Sequence, residues 1–245
     1  MGKSFAPPPV FDWTGSYAGF NAGWIYSESD AQVGAASPGF AATIAIGLQP
    51  TRLSSNGSGF LAGLTLGHNM QFGSSFVAGI EADIAYTDVG YSGTGVRPPV
   101  PFLGPPLGVP TTAPTTISTE LEWFGTLRAR AGWLASRQLL LYATGGLAYA
   151  NVEHRGVQDV IPPCCGFTNP SALGSSSEWK AGWTVGGGGE WLLGNKTTIK
   201  AEYLYYDLGD TDVTLASTGI PGEFVTWDVE NKGHIVRMGL NVQLY

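Results

Sequence analysis

Phe76-Val77-Ala78-Gly79-Ile80-Glu81-Ala82-Asp83-Ile84-Ala85-Tyr86 decides the fold. Its even positions read Phe, Ala, Ile, Ala, Ile and Tyr, and its odd positions include Glu81 and Asp83. A period of two belongs to a strand with chemically different faces, since successive side chains point to opposite sides of a sheet. Leu121, Trp123, Leu127, Ala129, Ala131 and Trp133 oppose Glu122, Thr126, Arg128 and Arg130 in the same way. Trp179, Ala181, Trp183, Val185 and Trp191 oppose Lys180, Thr184 and Glu190; Ile199, Ala201, Tyr203 and Tyr205 oppose Lys200 and Glu202. Val236, Met238, Leu240, Val242 and Leu244 oppose Arg237, Asn241 and Gln243.

Turn residues divide the chain into eight such segments, at about 13–27, 59–72, 76–90, 117–134, 137–154, 177–192, 196–210 and 230–245. The connections alternate between long (28–58, 91–116, 155–176, 211–229) and tight (Gly73-Ser74-Ser75, Ala135-Ser136, Leu193-Gly194-Asn195). Strands of this kind, with long links at one end and short ones at the other, predict an all-β fold. The expected form is an eight-stranded antiparallel up-and-down transmembrane barrel with four long extracellular loops and short periplasmic turns. The expected organisation is a Pro-rich periplasmic lead over 1–12 and a single barrel over 13–245.

Composition supports a surface that meets lipid. Charged residues make up 13% of the 245, and glycine supplies 36, against about 25% and about 7% in soluble domains. The 11 Phe, 8 Trp and 10 Tyr exclude a disordered chain. No run of about 20 apolar residues offers a spanning helix, and no apolar core of a secretory signal follows Met1. Net charge of −7 and a pI near 4.8 argue against nucleic acid.

The bulky face is expected to point outward, because an eight-stranded barrel leaves an interior only wide enough for side chains. Phe72, Phe76, Trp133 and Trp191 then form a girdle at the turn end, and Trp24, Tyr86, Trp123, Tyr149, Trp179 and Tyr205 one at the loop end. Ten residues between girdles rise about 33 Å along a strand, or roughly 23–25 Å along the membrane normal after tilting. The inward face collects the acids Glu81, Asp83, Glu122, Glu190 and Glu202 and the bases Arg128, Arg130, Lys180, Lys200 and Arg237. Equal numbers of each sign suit a plug in which every buried charge is paired. On this facing, Leu127→Arg is expected to impair assembly far more than Arg128→Leu.

Three strings resemble, in combination, the small outer-membrane β-barrel proteins of alphaproteobacteria, the outer-membrane immunogenic or porin-family proteins with a barrel like that of outer-membrane protein A. They are Asp12-Trp13-Thr14-Gly15-Ser16-Tyr17-Ala18-Gly19-Phe20-Asn21-Ala22-Gly23-Trp24, Lys200-Ala201-Glu202-Tyr203-Leu204-Tyr205-Tyr206-Asp207-Leu208-Gly209 and His234-Ile235-Val236-Arg237-Met238-Gly239-Leu240-Asn241. The resemblance implies an integral outer-membrane location, surface-exposed loops, no cofactor and no catalytic chemistry. Expected partners are outer-membrane lipid and lipopolysaccharide, with peptidoglycan or neighbouring barrels as further candidates. The expected function is structural support of the envelope; a passive pore, or a receptor for a ligand such as haem, is the alternative.

Other features offer weaker chemistry. Asp207, Asp210 and Asp212 could present oxygens to calcium, with a solvated acidic strand end as the bland reading. His68 faces outward without a hydroxyl in its own strand, and His154 and His234 read as solvated residues near strand ends. Cys164 and Cys165, adjacent in the third long connection, leave open a vicinal disulfide, an inter-chain link or two free thiols. Prolines 98, 99, 101, 105, 106, 110 and 114 make the second connection an extended spacer or docking surface.

Overall fold

The structure, a computed structural model, describes residues 11–45, 47, 49–96, 114–159, 171–194 and 196–244. Cys164, Cys165, the prolines from 98 to 110 and most of the Pro-rich lead lie outside the described residues. Eight antiparallel strands form one closed barrel in sequence order: β1 (Gly15–Ala36), β2 (Arg52–Phe72), β3 (Phe76–Gly95), β4 (Thr115–Ser136), β5 (Leu139–Asp159), β6 (Ser171–Leu192), β7 (Thr197–Ser217) and β8 (Phe224–Gln243). Closure comes from β1 pairing with β8, with Tyr17 opposite Gln243 and Ala36 opposite Val225. No helix among the described residues is long and apolar enough to cross a membrane.

The strands run well past the ends expected from sequence. Stretches read as connections, such as 28–36, 52–58 and 211–217, are ladder instead. A strand of 22 residues rises about 70 Å along its own axis, far more than the apolar band of about 25 Å requires. The barrel wall therefore continues beyond the loop-side girdle.

Between β1 and β2 a short helix, α1 (Pro38–Ala45), lies over the loop-side end. Ser37 stands before it and Pro38 takes its first position, where a missing N–H costs nothing. Glu223, from the β7–β8 turn, accepts hydrogen bonds from Ser37 Oγ and from Phe40 N, at 3.2 Å for the latter. An anion at a helix N-terminus is favourable, and the contact seats Phe40 in the barrel's upper core.

Inward side chains stack in four layers. At the turn-side mouth Trp13, Val77, Leu140 and Tyr142 form an apolar layer. Above it lies a charged layer, followed by an apolar layer containing Ile25, Leu61, Val89, Phe124, Leu204, Tyr206 and Ile235. The top layer is again apolar, with Phe40, Ile117, Leu215, Val225 and Trp227. Glycine makes room where large groups face it. A Cβ on Gly146 would sit 2.7 Å from Arg128 Cα and closer still to Leu127 O, so only glycine fits opposite that arginine.

Candidate functional site

The charged layer is built from strand pairs that place opposite signs face to face. Glu81 on β3 is opposite Arg128 on β4, Glu202 on β7 opposite Arg237 on β8, and Glu190 on β6 opposite Lys200 on β7. These six, with Asp83 and Arg130, are all at most 4% exposed. Arg128 bonds Glu202 at 2.8 Å and Asp83 at 3.1 Å, contacts Glu81 as well, and donates from Nε to Thr126 at 2.8 Å. Arg237 reaches Asp83 at 2.9 Å and Glu202 at 2.7 Å. Lys200 Nζ donates to Glu81 at 2.8 Å.

Arg130 extends the network toward the turn-side mouth. It donates to Glu190 at 2.7 Å and to Tyr17 OH at 3.0 Å, and its guanidinium lies 4.0 Å from the Tyr142 ring centroid. Tyr17 and Tyr142 donate their own hydroxyl protons to Glu81 and Glu202, at 2.7 and 3.1 Å. Burial of ions is costly unless each is paired and further hydrogen-bonded. Here every ion has at least one partner of opposite sign.

Two of the ten residues assigned inward do not join this network. Glu122 is exposed, and Leu121, assigned outward, is 5% exposed. The cause is a β-bulge: pairing with β5 shifts register between Leu121 and Trp123, so the strand changes phase at Glu122. Lys180 bonds Glu178 at 3.2 Å and the Asp210 carbonyl at 2.8 Å, where β6–β7 pairing lapses between Leu173 and Trp183. Its side chain keeps 20% exposure. Four acids and four bases remain, so the balance of sign survives.

The aromatic residues assigned to the two girdles all point outward. Phe72 lies beside Phe76 and Tyr86 beside Trp123, with ring centroids 6.1 and 5.6 Å apart, and Tyr149 beside Trp179 at 6.3 Å. Trp24, Trp133 and Trp191 are 44–58% exposed, and Tyr205 packs on Trp183 at 5.3 Å. Between the girdles the outer wall shows Leu64, Leu66, Ile80, Leu127, Leu147 and Met238.

Of the three histidines, His68 faces outward as its register suggests, whereas His154 and His234 are not freely solvated. His154 is fully buried within β5, its Nδ1 3.0 Å from Thr119 Oγ1. Burial pushes its pKa down to about 4, against a weaker upward pull from Glu178. His234 packs between Tyr203 and Tyr205 and lies 2.7 Å from the Tyr203 hydroxyl. His68 has a hydroxyl neighbour after all, Ser16 Oγ at 3.0 Å, supplied across the ladder by β1.

Asp207, Asp210 and Asp212 are not gathered around a common point, and the described residues contain no group of three such ligands. Pairing between β7 and β8 shifts between Asp207 and Asp210, where Gly209 adopts a φ of 70°. Asp207 Oδ1 accepts from Gly209 N at 2.9 Å, so it caps the bulge. Asp212 lies opposite Asp228, and partial burial together with Asp212 and Asp210 raises the Asp228 pKa.

Comparison with known proteins agrees with this architecture. The family model described as "Outer membrane protein beta-barrel domain" matches residues 5–224. The 31 kDa outer-membrane immunogenic proteins of Brucella melitensis and Brucella suis are each 33% identical, over 96% of this chain and 85% of theirs. Among solved structures, the outer membrane protease OmpT of Escherichia coli is similar at a TM-score of 0.49 and 8% identity, with 99% of either chain covered. OprG of Pseudomonas aeruginosa is similar at 0.46 and 12%, covering 94% of this chain and 97% of its own. With a family model spanning most of its length and relatives one-third identical, the chain belongs to the outer-membrane β-barrel protein family.

Proposed function

We propose that this protein is a structural, non-catalytic barrel that supports the outer membrane and displays its loop-side end on the cell surface. Its turns face the periplasm and its girdles contact lipid and lipopolysaccharide. The observation that carries this reading is the filled interior. Among the described residues, eight buried ions pair with one another between apolar layers, and no buried charge is left over to draw a solute of either sign. A conducting pore of this strand number would need a route through Phe124, Tyr206, Arg128 and Arg237, all at most 1% exposed.

Planar-bilayer recording tests closure. The expected result is no steady conductance from the wild-type protein, and a large, persistent conductance would favour the passive pore instead. Orientation is tested separately by inserting an epitope tag after Gly222, in the β7–β8 turn. Antibody binding to intact cells is expected, and binding only after the outer membrane is opened would reverse the assignment.

A further inference from the structure

Ser16 and His68 stand directly opposite each other on the outer faces of β1 and β2, with His68 Nδ1 3.0 Å from Ser16 Oγ. The start of β1 is fixed from β8. Leu244 N donates to the Ser16 carbonyl at 2.8 Å, and Gln243 Nε2 donates to the carbonyl oxygens of Asp12 and Thr14, at 3.2 and 2.6 Å. His68 is exposed among Leu66, Met70 and Ile80, themselves 49–62% exposed, on a wall that otherwise offers lipid only hydrocarbon. A polar pair there needs a reason, because lipid chains give a polar group no partner.

Ser16 precedes Trp24 of the loop-side girdle by eight residues, a drop of about 20 Å along the membrane normal for a tilted strand. In an apolar band of about 25 Å the pair therefore lies roughly 5 Å inside the turn-side edge, where hydrocarbon gives way to the ester carbonyls of glycerolipids. From the pair a groove of about 330 Å³ runs across the outer wall, lined also by Leu66, Ile80, Ala82, Leu127 and Leu244. Ala82 makes its floor, since Leu66 and Leu127 flank it directly across the two ladders and its methyl is shorter than either. Glu81 borders the groove too, but its carboxylate is turned inward to Lys200 and Tyr17. No acid in the groove is placed to complete a nucleophilic triad, so the chemistry left to the pair is binding.

A neutral imidazole has one N–H and a serine one O–H. If Ser16 donates to Nδ1, the imidazole keeps its proton at Nε2; if Nδ1 donates to Ser16, the hydroxyl keeps its own. Either way the pair spends one proton internally and retains one donor, which nothing accepts among the described residues. An ester carbonyl is an acceptor with no donor of its own, and it arrives at this depth with an acyl chain attached. We infer that Ser16 and His68 hold an ester carbonyl of one glycerophospholipid of the turn-side leaflet, whose acyl chain lies in the groove over Ala82. This site deepens the lipid contact proposed above and rests on that reading, because turns in the periplasm put phospholipid, not lipopolysaccharide, at this depth.

Native mass spectrometry of the full chain, released from micelles that contain diacyl phosphatidylethanolamine, tests the site. One retained lipid per wild-type barrel is expected, with retention falling about tenfold for His68→Leu, the scale of one hydrogen bond. The dialkyl ether analogue keeps the phosphate and lacks both carbonyls, and the wild type is expected to retain it as poorly. Equal retention of ester and ether lipid overturns the carbonyl contact, and equal retention by wild type and His68→Leu overturns the site. Should His68→Leu assemble poorly, Ala82→Leu leaves the polar pair in place and fills the groove. Lower retention is expected there as well, and unchanged retention overturns the acyl path. Insertion into liposomes is read on the same proteins by protection of the outer tryptophans from an aqueous quencher. A barrel that inserts but retains no lipid overturns the site alone, whereas one that fails to insert overturns the lipid-facing wall itself.

Discussion

The membrane-spanning part of the barrel and its loop-side extension are built from the same strands with opposite chemistry. Between the girdles the outside is Leu64, Ile80, Leu127 and Met238, and the inside carries Glu81, Arg128, Glu202 and Arg237. Beyond the loop-side girdle the inside is Leu53, Ile117, Leu215, Val225 and Trp227, and the outside carries Glu28, Asp210, Asp212 and Asp228. The extension obeys the rule of a soluble protein and the span obeys its inverse. The difference follows from the solvent, because apolar surface goes wherever water is absent. Two strands mark the change with bulges, β4 at Glu122 and β7 at Gly209, each re-phasing the strand just past the girdle.

Substitutions can break or sharpen this contrast. Arg128→Leu should have the largest effect, about 3–5 kcal/mol of stability, because Glu81, Asp83 and Glu202 would lose a shared buried partner. Urea unfolding in liposomes measures it, and wild-type stability would show that the charged layer is not held by pairing. Leu127→Arg, on the lipid side of the same strand, should cost about 2–4 kcal/mol. The paired geometry thus reverses the order that facing alone suggests. A Leu127→Arg barrel as stable as wild type would remove lipid from the outer wall.

The extension has its own test in pH. His154 is neutral in the folded barrel, with a pKa of about 4, whereas in an unfolded chain it takes a proton below about pH 6.5. Its contribution is therefore complete above that pH and is lost as pH falls toward 4, by at most about 1.4 kcal/mol per pH unit. Hydrogen exchange of β5 at pH 7 and pH 5 should show the loss, and His154→Gln should flatten it. The smallest effect is expected for Glu122→Ala, within about 0.5 kcal/mol by the same unfolding assay, since that side chain meets solvent. A loss of several kcal/mol there would return Glu122 to the interior.

The strand faces between the girdles are legible in sequence because each uses a strict period of two, from Phe76 to Tyr86 most plainly. Phase errors begin where bulges do. A single extra residue at Glu122 puts the side chains before it out of phase with those after it, and nothing in Glu120-Leu121-Glu122-Trp123 announces it. The extension is harder to read for a related reason: Ser, Asp, Thr and Gly suit a soluble strand's outer face as well as they suit a turn. His154 reads as solvated because it stands at the expected end of its strand, whereas β5 runs on to Asp159 and the ladder turns His154 inward. The network itself needs register to be seen, since Glu81 and Arg128 are far apart in the chain and adjacent only across the ladder.

The ties of Gln243 to Asp12 and Thr14 connect the last strand to the residues before the first. They can form only once β8 has met β1, the contact of greatest sequence separation in the barrel and so the slowest kind to be made. Burial of Trp13 beneath those ties therefore records the completion of closure. In refolding, its fluorescence should change last, which makes the chain's own beginning a clock for the arrival of its end.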